Sequence, residues 1–519
     1  MLRIHNIKVK LGEQRYAKII SQSLNVREKE IQNVALVKQS IDARRQNVHL
    51  ICSFDFTVKD EEAFLRKFPQ LQKVIPYHYQ YLPSNNQSVL IVGSGPAGLF
   101  CAYVLAMSGQ KVTVIERGQV IHQREKAIND LLEHGILHNE SNIAFGEGGA
   151  GTFSDGKLTT GVKNERIRYI LETFVQFGAP KDILYLNKPH IGTDYLRQVI
   201  QNMRQFLVSK GVTFLFETKM VDFEVLDSGY QVTVSQHQHI QKLDTDLLVL
   251  AIGHSARDTY EMLYQKGVPL DQKAFAIGVR IEQSQQKINQ IQYKKSASSP
   301  YLKAASYKLA VQSGKRGVYT FCMCPGGVVV PSHHEDKTIC VNGMSYYARD
   351  GQNANSAILV TISTDDFASD HPLAGIEFQR ELEHKAFLLG GGNYQAPVQR
   401  VVDYFHHEVQ PLGKIKPTYQ PGYQICDLNA LFPEFINQAL HAGLQLMNQK
   451  MPGFIDEDTI ITGIETRSSA PVRILRNENY QSTFKGLYPI GEGAGYAGGI
   501  MSSAIDGIMC AENILKSYK

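Results

Sequence analysis

The stretch that decides the fold runs from Val89 to Glu116 and reads VLIVGSGPAGLFCAYVLAMSGQKVTVIE. An apolar run, a glycine-rich turn, a helical segment and a second apolar run together predict a βαβ unit. Gly93 allows the turn, Gly95 lets backbone approach a pyrophosphate, and Gly98 lets the helix lie close to the strand. Glu116 follows the second strand, where a carboxylate accepts hydrogen bonds from a ribose diol. The sequence therefore predicts a dinucleotide site at a helix N-terminus, where N–H groups and the dipole favour phosphates.

The bulk composition is that of a globular protein with two or three domains, because the 519 residues are 43% hydrophobic and 20% charged. The net charge is +4, and residues 1–85 carry 14 Lys and Arg against 8 Asp and Glu. This asymmetry leaves a nucleic-acid face open as an alternative. The absence of a dense basic block favours a solvated surface and makes a nucleic-acid partner unlikely.

The N-terminal residues and the cysteines favour a cytoplasmic protein. Met1 opens directly into an alternating strand pattern with no secretory signal, and the seven cysteines are scattered and odd in number. Residues 81–110 carry no charge and mimic a membrane span, but a Gly-Ser-Gly-Pro turn interrupts them. We therefore interpret them as a buried strand and helix and expect no membrane partner.

The order of the predicted elements gives three units. Residues 1–83 read as βαββαβ, which suggests a small ferredoxin-like α+β domain, with a last strand at Lys73–Tyr81. Residues 87–256 begin an α/β Rossmann-like nucleotide-binding domain. Residues 257–455 are predicted to be an inserted α+β substrate domain, and residues 456–519 return to the nucleotide domain and end in a helix.

Two further glycine-rich segments indicate contacts with a cofactor. Leu487–Glu492 is a short apolar strand that ends in Gly and an acid, and a helix follows at Ile500. Such a helix N-terminus stabilises a reduced flavin, which carries negative charge at its N1/O2 edge. Gly146–Leu158 mixes glycines with hydroxyls, which is typical of backbone packed against a flat ligand and its phosphates. A simple βα turn and an idle surface loop are the alternatives.

At these segments the chain resembles the glutathione-reductase-type (GR-type) FAD flavoproteins. Together with Gly253–Arg257, Gly390–Gln399 and Gly491–Gly507, they are similar to a bacterial family of uncharacterised FAD-dependent dehydrogenases that also has a small N-terminal domain. This resemblance covers nearly the whole chain and implies FAD as cofactor and a GR-type subdivision of the Rossmann-like domain. Position 492 is Glu where many relatives in the wider superfamily have Asp.

The resemblance also implies which residues contact FAD. Glu116 would hold the adenosine ribose with Arg117 and Arg124 nearby, and Val221 would meet adenine through its backbone. The remaining implied contacts belong to the three glycine-rich segments and the strand end near Gly253: Gly93, Ser94, Gly95, Pro96, Ala97, Gly98, Gly149, Ala150, Gly151, Thr152, Ser154, Asp155, Lys157, Ala251, Gly253, His254, Gly491, Glu492, Gly499, Ile500 and Met501.

Other reactive side chains leave alternatives open. Cys322 and Cys324 are either buried structural thiols or a flavin-facing redox pair, since strand alternation places both sulfurs on one face. His254 and Arg257 either approach substrate or cap local structure. His333, His334 and Cys340 match no ordered zinc spacing, so we expect no metal. Arg467 and Arg473 would be able to hold a carboxylate substrate, although exposure to solvent is the default for arginine.

These observations predict an FAD-dependent oxidoreductase, a dehydrogenase or reductase that moves a hydride between a small organic substrate and flavin N5. No second G-x-G-x-x-G follows a strand, so NAD(P)H is expected only as a free donor. A flavin monooxygenase that uses NAD(P)H and oxygen is one alternative, and a nucleic-acid-associated flavoprotein with a basic N-terminal domain is another. The sequence identifies no catalytic residue.

Overall fold

The N-terminal unit is a four-stranded sheet with two helices, in a computed structural model that describes residues 1–517. Its elements are β1 (Leu2–Val9), α1 (Tyr16–Leu24), β2 (Gln32–Asp42), β3 (His49–Thr57), α2 (Glu61–Lys67) and β4 (Gln72–Lys73). The sheet order is β2-β3-β1-β4 with antiparallel neighbours. The predicted strand over Lys73–Tyr81 is wrong, because pairing ends at Lys73 and Pro76 has no N–H with which to extend a ladder.

The nucleotide-binding segment follows the predicted βαβ order. Its elements are β5 (Ser88–Val92), α3 (Pro96–Met107), β6 (Lys111–Ile115), α4 (Ile121–His134), α5 (Arg166–Gln176), α6 (Thr193–Ser209), β7 (Thr213–Leu215), β8 (Thr218–Val225), β9 (Tyr230–Gln236), β10 (His239–Thr245), β11 (Leu247–Leu250) and α7 (Arg257–Gln265). Strands β8, β9 and β10 form a separate antiparallel sheet.

The middle of the chain forms a second large sheet. Its elements are β12 (Leu270–Gln272), β13 (Phe275–Ser284), α8 (Gln285–Tyr293), β14 (Ala310–Ser313), β15 (Arg316–Cys324), β16 (Val328–Pro331), β17 (Val341–Met344), β18 (Asn353–Ile362), α9 (Ala374–Leu389), β19 (Ala396–Arg400), α10 (Val401–His406), β20 (Tyr423–Ile425), α11 (Glu434–Lys450) and β21 (Ile460–Glu465). The seven-stranded order is β14-β15-β18-β13-β21-β19-β20. Strand β21 hydrogen-bonds to β13 and β19, so strand pairing continues the inserted unit beyond the expected limit at residue 455.

The chain then returns to the nucleotide-binding sheet through β22 (Val472–Ile474), β23 (Leu487–Pro489) and α12 (Ile500–Ser517). The resulting sheet has the order β23-β11-β5-β6-β7, and all its strands are parallel. Short 3-10 helices at 28–30, 150–153, 181–184, 294–296, 364–366 and 428–430 complete the described elements. The predicted mixed α/β fold is confirmed.

Close packing of α3 and α12 holds the nucleotide-binding sheet's core together. Residues 97–106 of α3 are all buried, so this helix is covered on every side. A Cβ on Gly507 of α12 would lie 2.1 Å from the carbonyl oxygen of Ala97, so only glycine permits this helix contact. The contact ties the start of α3 to the C-terminal segment, and both helix N-termini therefore face the same space.

The N-terminal unit also touches the nucleotide-binding segment through its edge strand. The N–H of Gln39 donates to the carbonyl of Tyr185 at 2.7 Å, and the N–H of Asn187 donates back to the carbonyl of Gln39 at 2.8 Å.

Among residues 1–517, no helix combines the length and apolar character needed to cross a bilayer.

Candidate functional site: a glycine-lined cleft between two sheets

The predicted glycine turn lies between β5 and α3, and its three glycines have different roles. Gly93 has φ +106°, and a Cβ there would lie 2.3 Å from the carbonyl oxygen of Ala251. A Cβ on Gly98 would lie 2.0 Å from the Gly93 carbonyl oxygen. These two glycines are thus required by the fold itself. Gly95 has only the Cα of Gly149 within 4 Å of an added Cβ, at 3.9 Å, and its open side faces the cleft.

The Glu116 carboxylate organises the turn. It is buried, and it accepts hydrogen bonds from the Ser94 N–H at 3.0 Å and the Ser94 hydroxyl at 2.8 Å. Its other oxygen accepts from the N–H groups of Gly118 at 3.0 Å and Gly146 at 3.1 Å. One side chain therefore joins the first glycine-rich segment to Gly146–Leu158, and it also lines the cleft.

A cavity of about 810 Å³ lies over these segments, within the range of about 300–1,000 Å³ typical of ligand sites. Its walls come from all three glycine-rich segments and from the inserted unit. Eighteen of the residues implied to contact FAD line it: Gly93, Gly95, Pro96, Ala97, Glu116, Arg117, Gly149, Ala150, Gly151, Ser154, Asp155, Lys157, Ala251, Gly253, His254, Glu492, Gly499 and Ile500.

Seven implied contacts lie behind this wall. Ser94 is bonded to Glu116, Gly98 is inside α3, and Met501 is buried in α12. The Thr152 hydroxyl donates to the Glu147 carbonyl, and the Gly491 N–H donates to Asp506. Val221 does not line the cavity, although the preceding residues Thr218, Lys219 and Met220 do.

Arg124 is the last of the seven implied FAD contacts that do not line the cavity, and it supports the site from behind. Its guanidinium is fully buried and donates to four carbonyl oxygens, of Asn142, Ile143, Glu147 and Gly149, at 2.7–3.0 Å. Burial lowers the pKa of Arg124 to about 10. The side chain therefore fixes the loop that presents Gly149 to the cleft.

The expected ribose end of the cleft is closed by charged side chains. Arg117 donates to both carboxylate oxygens of Asp258 at 2.9 and 2.8 Å, and its guanidinium lies 4.2 Å from the Phe145 ring centroid. Near the Leu487–Glu492 segment, His254 Nδ1 lies 3.2 Å from a Glu492 carboxylate oxygen. Both residues line the cavity, so His254 lies beside the cleft.

Arg257 has a different role from the two that the sequence suggested. It is buried and bonds the Glu383 carboxylate at 2.9 and 3.0 Å. Arg467 donates to the same carboxylate at 2.7 and 3.0 Å, and it also reaches the cavity wall. Arg473 lies over the ring of Tyr496 and does not line the cavity. The buried Arg257–Glu383–Arg467 cluster joins α7 and α9 to the chain after β21.

The far end of the cavity contains the expected residues Asp155 and Lys157 together with Arg349 and Glu465, which the sequence did not identify. Asp155 bonds Arg349 Nε at 3.1 Å and lies 3.4 Å from Lys157 Nζ. Burial would raise the pKa of Asp155, but Lys157 and Arg349 hold it below its usual range. Arg280 donates to Glu465 at 3.0 Å, and both are buried. The available signal was Arg280, a charged residue between the apolar residues Val279 and Ile281 of β13.

Cys322 and Cys324 lie at this same end. Cys322 lines the cavity and Cys324 is buried just behind it. Among residues 1–517, no group of three or more His, Cys, Asp or Glu side chains is arranged to hold a metal ion.

Comparisons with known proteins agree with this geometry. Residues 86–133 match an FAD binding domain, residues 274–468 match the C-terminal domain-like region of FAD-dependent proteins, and residues 1–57 match a domain of unknown function. A protein of Clostridium beijerinckii described as uncharacterized is 43% identical over 535 residues, covering 100% of this chain and 99% of that protein. The chain therefore belongs to an uncharacterised family of FAD-dependent proteins.

Solved structures with a similar arrangement are flavoproteins at low identity. A flavoprotein/dehydrogenase from Cytophaga hutchinsonii is 11% identical with a TM-score of 0.36, over 83% of this chain and 78% of that one. CtdE in complex with FAD is 10% identical with a TM-score of 0.33, over 83% of this chain and 88% of that one.

FAD is the cofactor of this chain, and the cleft fits it. The open side of Gly95, the close approach of Gly149 and the start of α12 at Ile500 make a backbone-lined cradle in which side chains would obstruct a ligand. The N-termini of α3 and α12 both face this cradle, which suits phosphates and an electron-rich ring edge.

Proposed function

We propose that the protein is an FAD-dependent oxidoreductase that moves a hydride between a small organic substrate and flavin N5. The observation that carries this proposal is the continuity of the cavity. It runs from the Gly95 and Glu116 cradle to a wall of Tyr307, Phe321 and Cys322 from the inserted unit. A nucleotide cradle alone does not need this wall, and its presence supports a second ligand beside the cofactor.

The chain's own groups would position both ligands. The α3 N-terminus at Gly95 and Pro96 would hold the pyrophosphate, and Glu116 would meet the adenosine ribose at the end closed by Arg117. The α12 N-terminus beside Gly499 would face the N1/O2 edge, where a positive dipole end favours negative charge by about 1 kcal/mol. Bound FAD supplies the chemistry, since its N5 accepts or gives a hydride.

NAD(P)H is proposed as a free donor that enters the same cleft. The sequence has no second dinucleotide fingerprint, and the cavity opens beside Lys188 and Lys308, which suit an anionic ligand.

We also propose the GR-type subdivision for the nucleotide-binding domain. The βαββαβ order and the β2-β3-β1-β4 sheet support a ferredoxin-like assignment for the N-terminal unit.

The proposal is tested by the visible spectrum of the purified protein under anaerobic conditions, before and after NADPH or NADH is added. We expect oxidised-flavin bands that bleach with one of these donors. Bands that persist with both would remove NAD(P)H and leave the organic substrate as the donor. Absence of flavin bands after FAD is supplied would overturn the proposal.

A further inference from the structure

Two sulfurs converge on one lysine at the inserted unit's wall. Lys157 Nζ lies 3.8 Å from Cys322 Sγ and 3.4 Å from Cys324 Sγ. The pairing of β15 with β18 shifts register between Phe321 and Cys324, and Cys322 has φ +44°, in the left-handed region. This bulge breaks strict alternation and turns Cys322 toward the cleft while Cys324 stays close behind it. The register shift and the left-handed residue therefore occur together at this point of β15.

The charges around the pair favour one thiolate and one thiol. The pKa of Cys322 is held well below its usual value, chiefly by a hydrogen bond from Cys324 and also by the positive charges of Lys157 and Arg280. Burial and the negative charge of Asp155 act in the opposite direction but are outweighed. The pKa of Cys324 is raised by its bond to Cys322 and by burial. Glu465 is the other acid that faces Cys322. A nucleophilic sulfur with a protonated neighbour is the arrangement found in reactive dithiols.

A second sulfur pair in the same protein lacks these features. Cys101 of α3 and Cys510 of α12 are both fully buried in the helix contact, and neither lines the cavity. Burial and the bond to Cys101 raise the pKa of Cys510 well above its usual value. Proximity of two sulfurs is therefore common to both pairs, whereas the lysine and the access to the flavin cleft belong only to Cys322 and Cys324.

We propose that Cys322 and Cys324 form a redox-active pair that reduces a disulfide substrate in the flavin cleft and is recharged by reduced FAD. This inference rests on the proposed function for its supply of electrons. It names a disulfide as the substrate class that the cavity wall accepts. Cys322, which lines the cavity, is the attacking residue, and the buried Cys324 is the resolving one.

The chemistry balances in two steps. The Cys322 thiolate attacks one substrate sulfur and displaces the other as a thiolate. Cys324 then loses its proton to a displaced thiolate and attacks the Cys322 sulfur, which releases the second half of the substrate and forms the Cys322–Cys324 disulfide. Two electrons have reached the disulfide substrate. One half of the substrate leaves as a thiol and the other half as a thiolate. Reduced anionic FAD then gives two electrons and one proton to the pair, which returns to one thiolate and one thiol.

The first test measures oxidation of the pair in the FAD-loaded full-length protein. Samples are equilibrated in glutathione buffers from reducing to oxidising, quenched with acid, alkylated and mapped by mass spectrometry. We expect the segment with Cys322 and Cys324 to lose two hydrogens together and escape alkylation, while Cys101 and Cys510 stay alkylated. Independent alkylation of Cys322 and Cys324 at every potential, or glutathione held on Cys322 without ring closure, would overturn the proposal.

The second test addresses the lysine. At pH 7 we expect Lys157→Met to slow alkylation of Cys322 by iodoacetamide about tenfold or more, because less of the sulfur is thiolate. Lys163→Met, at a nearby exposed position, should leave the rate unchanged. The alkylation rate of the partly buried Cys426 monitors folding in both variants. Equal Cys322 rates in wild type and Lys157→Met would contradict the assignment.

The two proposals fail separately. If NAD(P)H bleaches the flavin but the pair never closes, the oxidoreductase proposal stands and the disulfide proposal is wrong. With the pair first oxidised, anaerobic reduction of the flavin should release two alkylatable thiols at Cys322 and Cys324. A protein whose flavin is reduced while this disulfide persists would contradict recharging by FAD.

Discussion

Gly149 lies so close to Gly95 that a Cβ atom on Gly149 would stand 3.0 Å from the Cα of Gly95. The two glycines belong to separate segments, and both line the cavity. Bare backbone from two directions thus makes one surface of the cleft. The contact explains why a cradle for FAD needs the third glycine-rich segment as well as the first.

Gly95→Ala should weaken FAD binding at least about tenfold without unfolding the protein. The new methyl group has ordinary contact with Gly149 but enters the cavity, so the apoprotein should lose no more than about 1 kcal/mol. FAD titration and urea denaturation of the apoprotein measure the two effects. Gly98→Ala is the contrasting variant, because its methyl group would meet the Gly93 carbonyl and cost about 1–3 kcal/mol of stability. Wild-type FAD affinity in Gly95→Ala would contradict the cradle.

Arg124→Lys should lower both stability and FAD affinity. An ammonium has three donors, whereas the guanidinium of Arg124 serves four buried carbonyl oxygens. Leaving a buried carbonyl unsatisfied costs about 1–3 kcal/mol. Arg168→Lys, at an exposed helical ion pair with Glu172, is the control and should change stability by less than about 0.5 kcal/mol. Urea denaturation compares the two variants, and equal losses would show that Arg124 is not a support.

Glu383→Gln should destabilise the protein by about 3–5 kcal/mol. Arg257 and Arg467 both bond this fully buried carboxylate. Arg257 would keep its ion pair with Glu335, whereas the buried charge of Arg467 would lose its carboxylate partner. The matched control is Glu381→Gln on the same helix, whose 63% exposed side chain pairs with Lys385. It should cost less than about 0.5 kcal/mol. A stable Glu383→Gln variant in guanidinium denaturation would refute the structural role of the cluster.

Stability should fall as pH rises through the titration of Glu465. Burial raises its pKa to about 7, although Arg280 lies 3.0 Å away and opposes the shift. The folded state therefore binds the proton more tightly than the unfolded chain. The resulting stability is complete below an unfolded-state pKa of 4.5 and is lost as pH rises through about 7.

The part of the unfolding free energy that depends on this titration is about 3 kcal/mol at most. Glu465→Gln should remove it, whereas Glu457→Gln, at an exposed position, should retain it. Denaturation at a series of pH values from about 5 to 8 gives the difference. Parallel wild-type and Glu465→Gln curves would show that Glu465 titrates near its ordinary pKa.

Local patterns in the sequence predicted the elements that line the cleft. The βαβ unit and the C-terminal helix at Ile500 appear where periodicity and glycine spacing put them. Two errors concern pairing between distant strands. Lys73–Tyr81 has strand-forming residues, but strand pairing ends at Lys73, with one further backbone hydrogen bond from Val74 to Met1. Ile460–Glu465 pairs with the inserted sheet. Hydrogen-bond partners of a strand are set by chain segments far away in sequence, which no local pattern contains.

The sequence by itself determined the βαβ unit and its dinucleotide-type turn at Gly93–Gly98, because a tight turn, a close backbone approach and an acid at fixed spacing are all encoded by residues close together in the chain. Only the tertiary structure decided the roles of Arg124 and Glu383 and the meeting of Lys157 with Cys322. These residues lie far apart in the chain, and their side chains meet because two sheets enclose one cavity. Burial and neighbouring charge, which set the chemistry of these groups, exist only once that packing has formed.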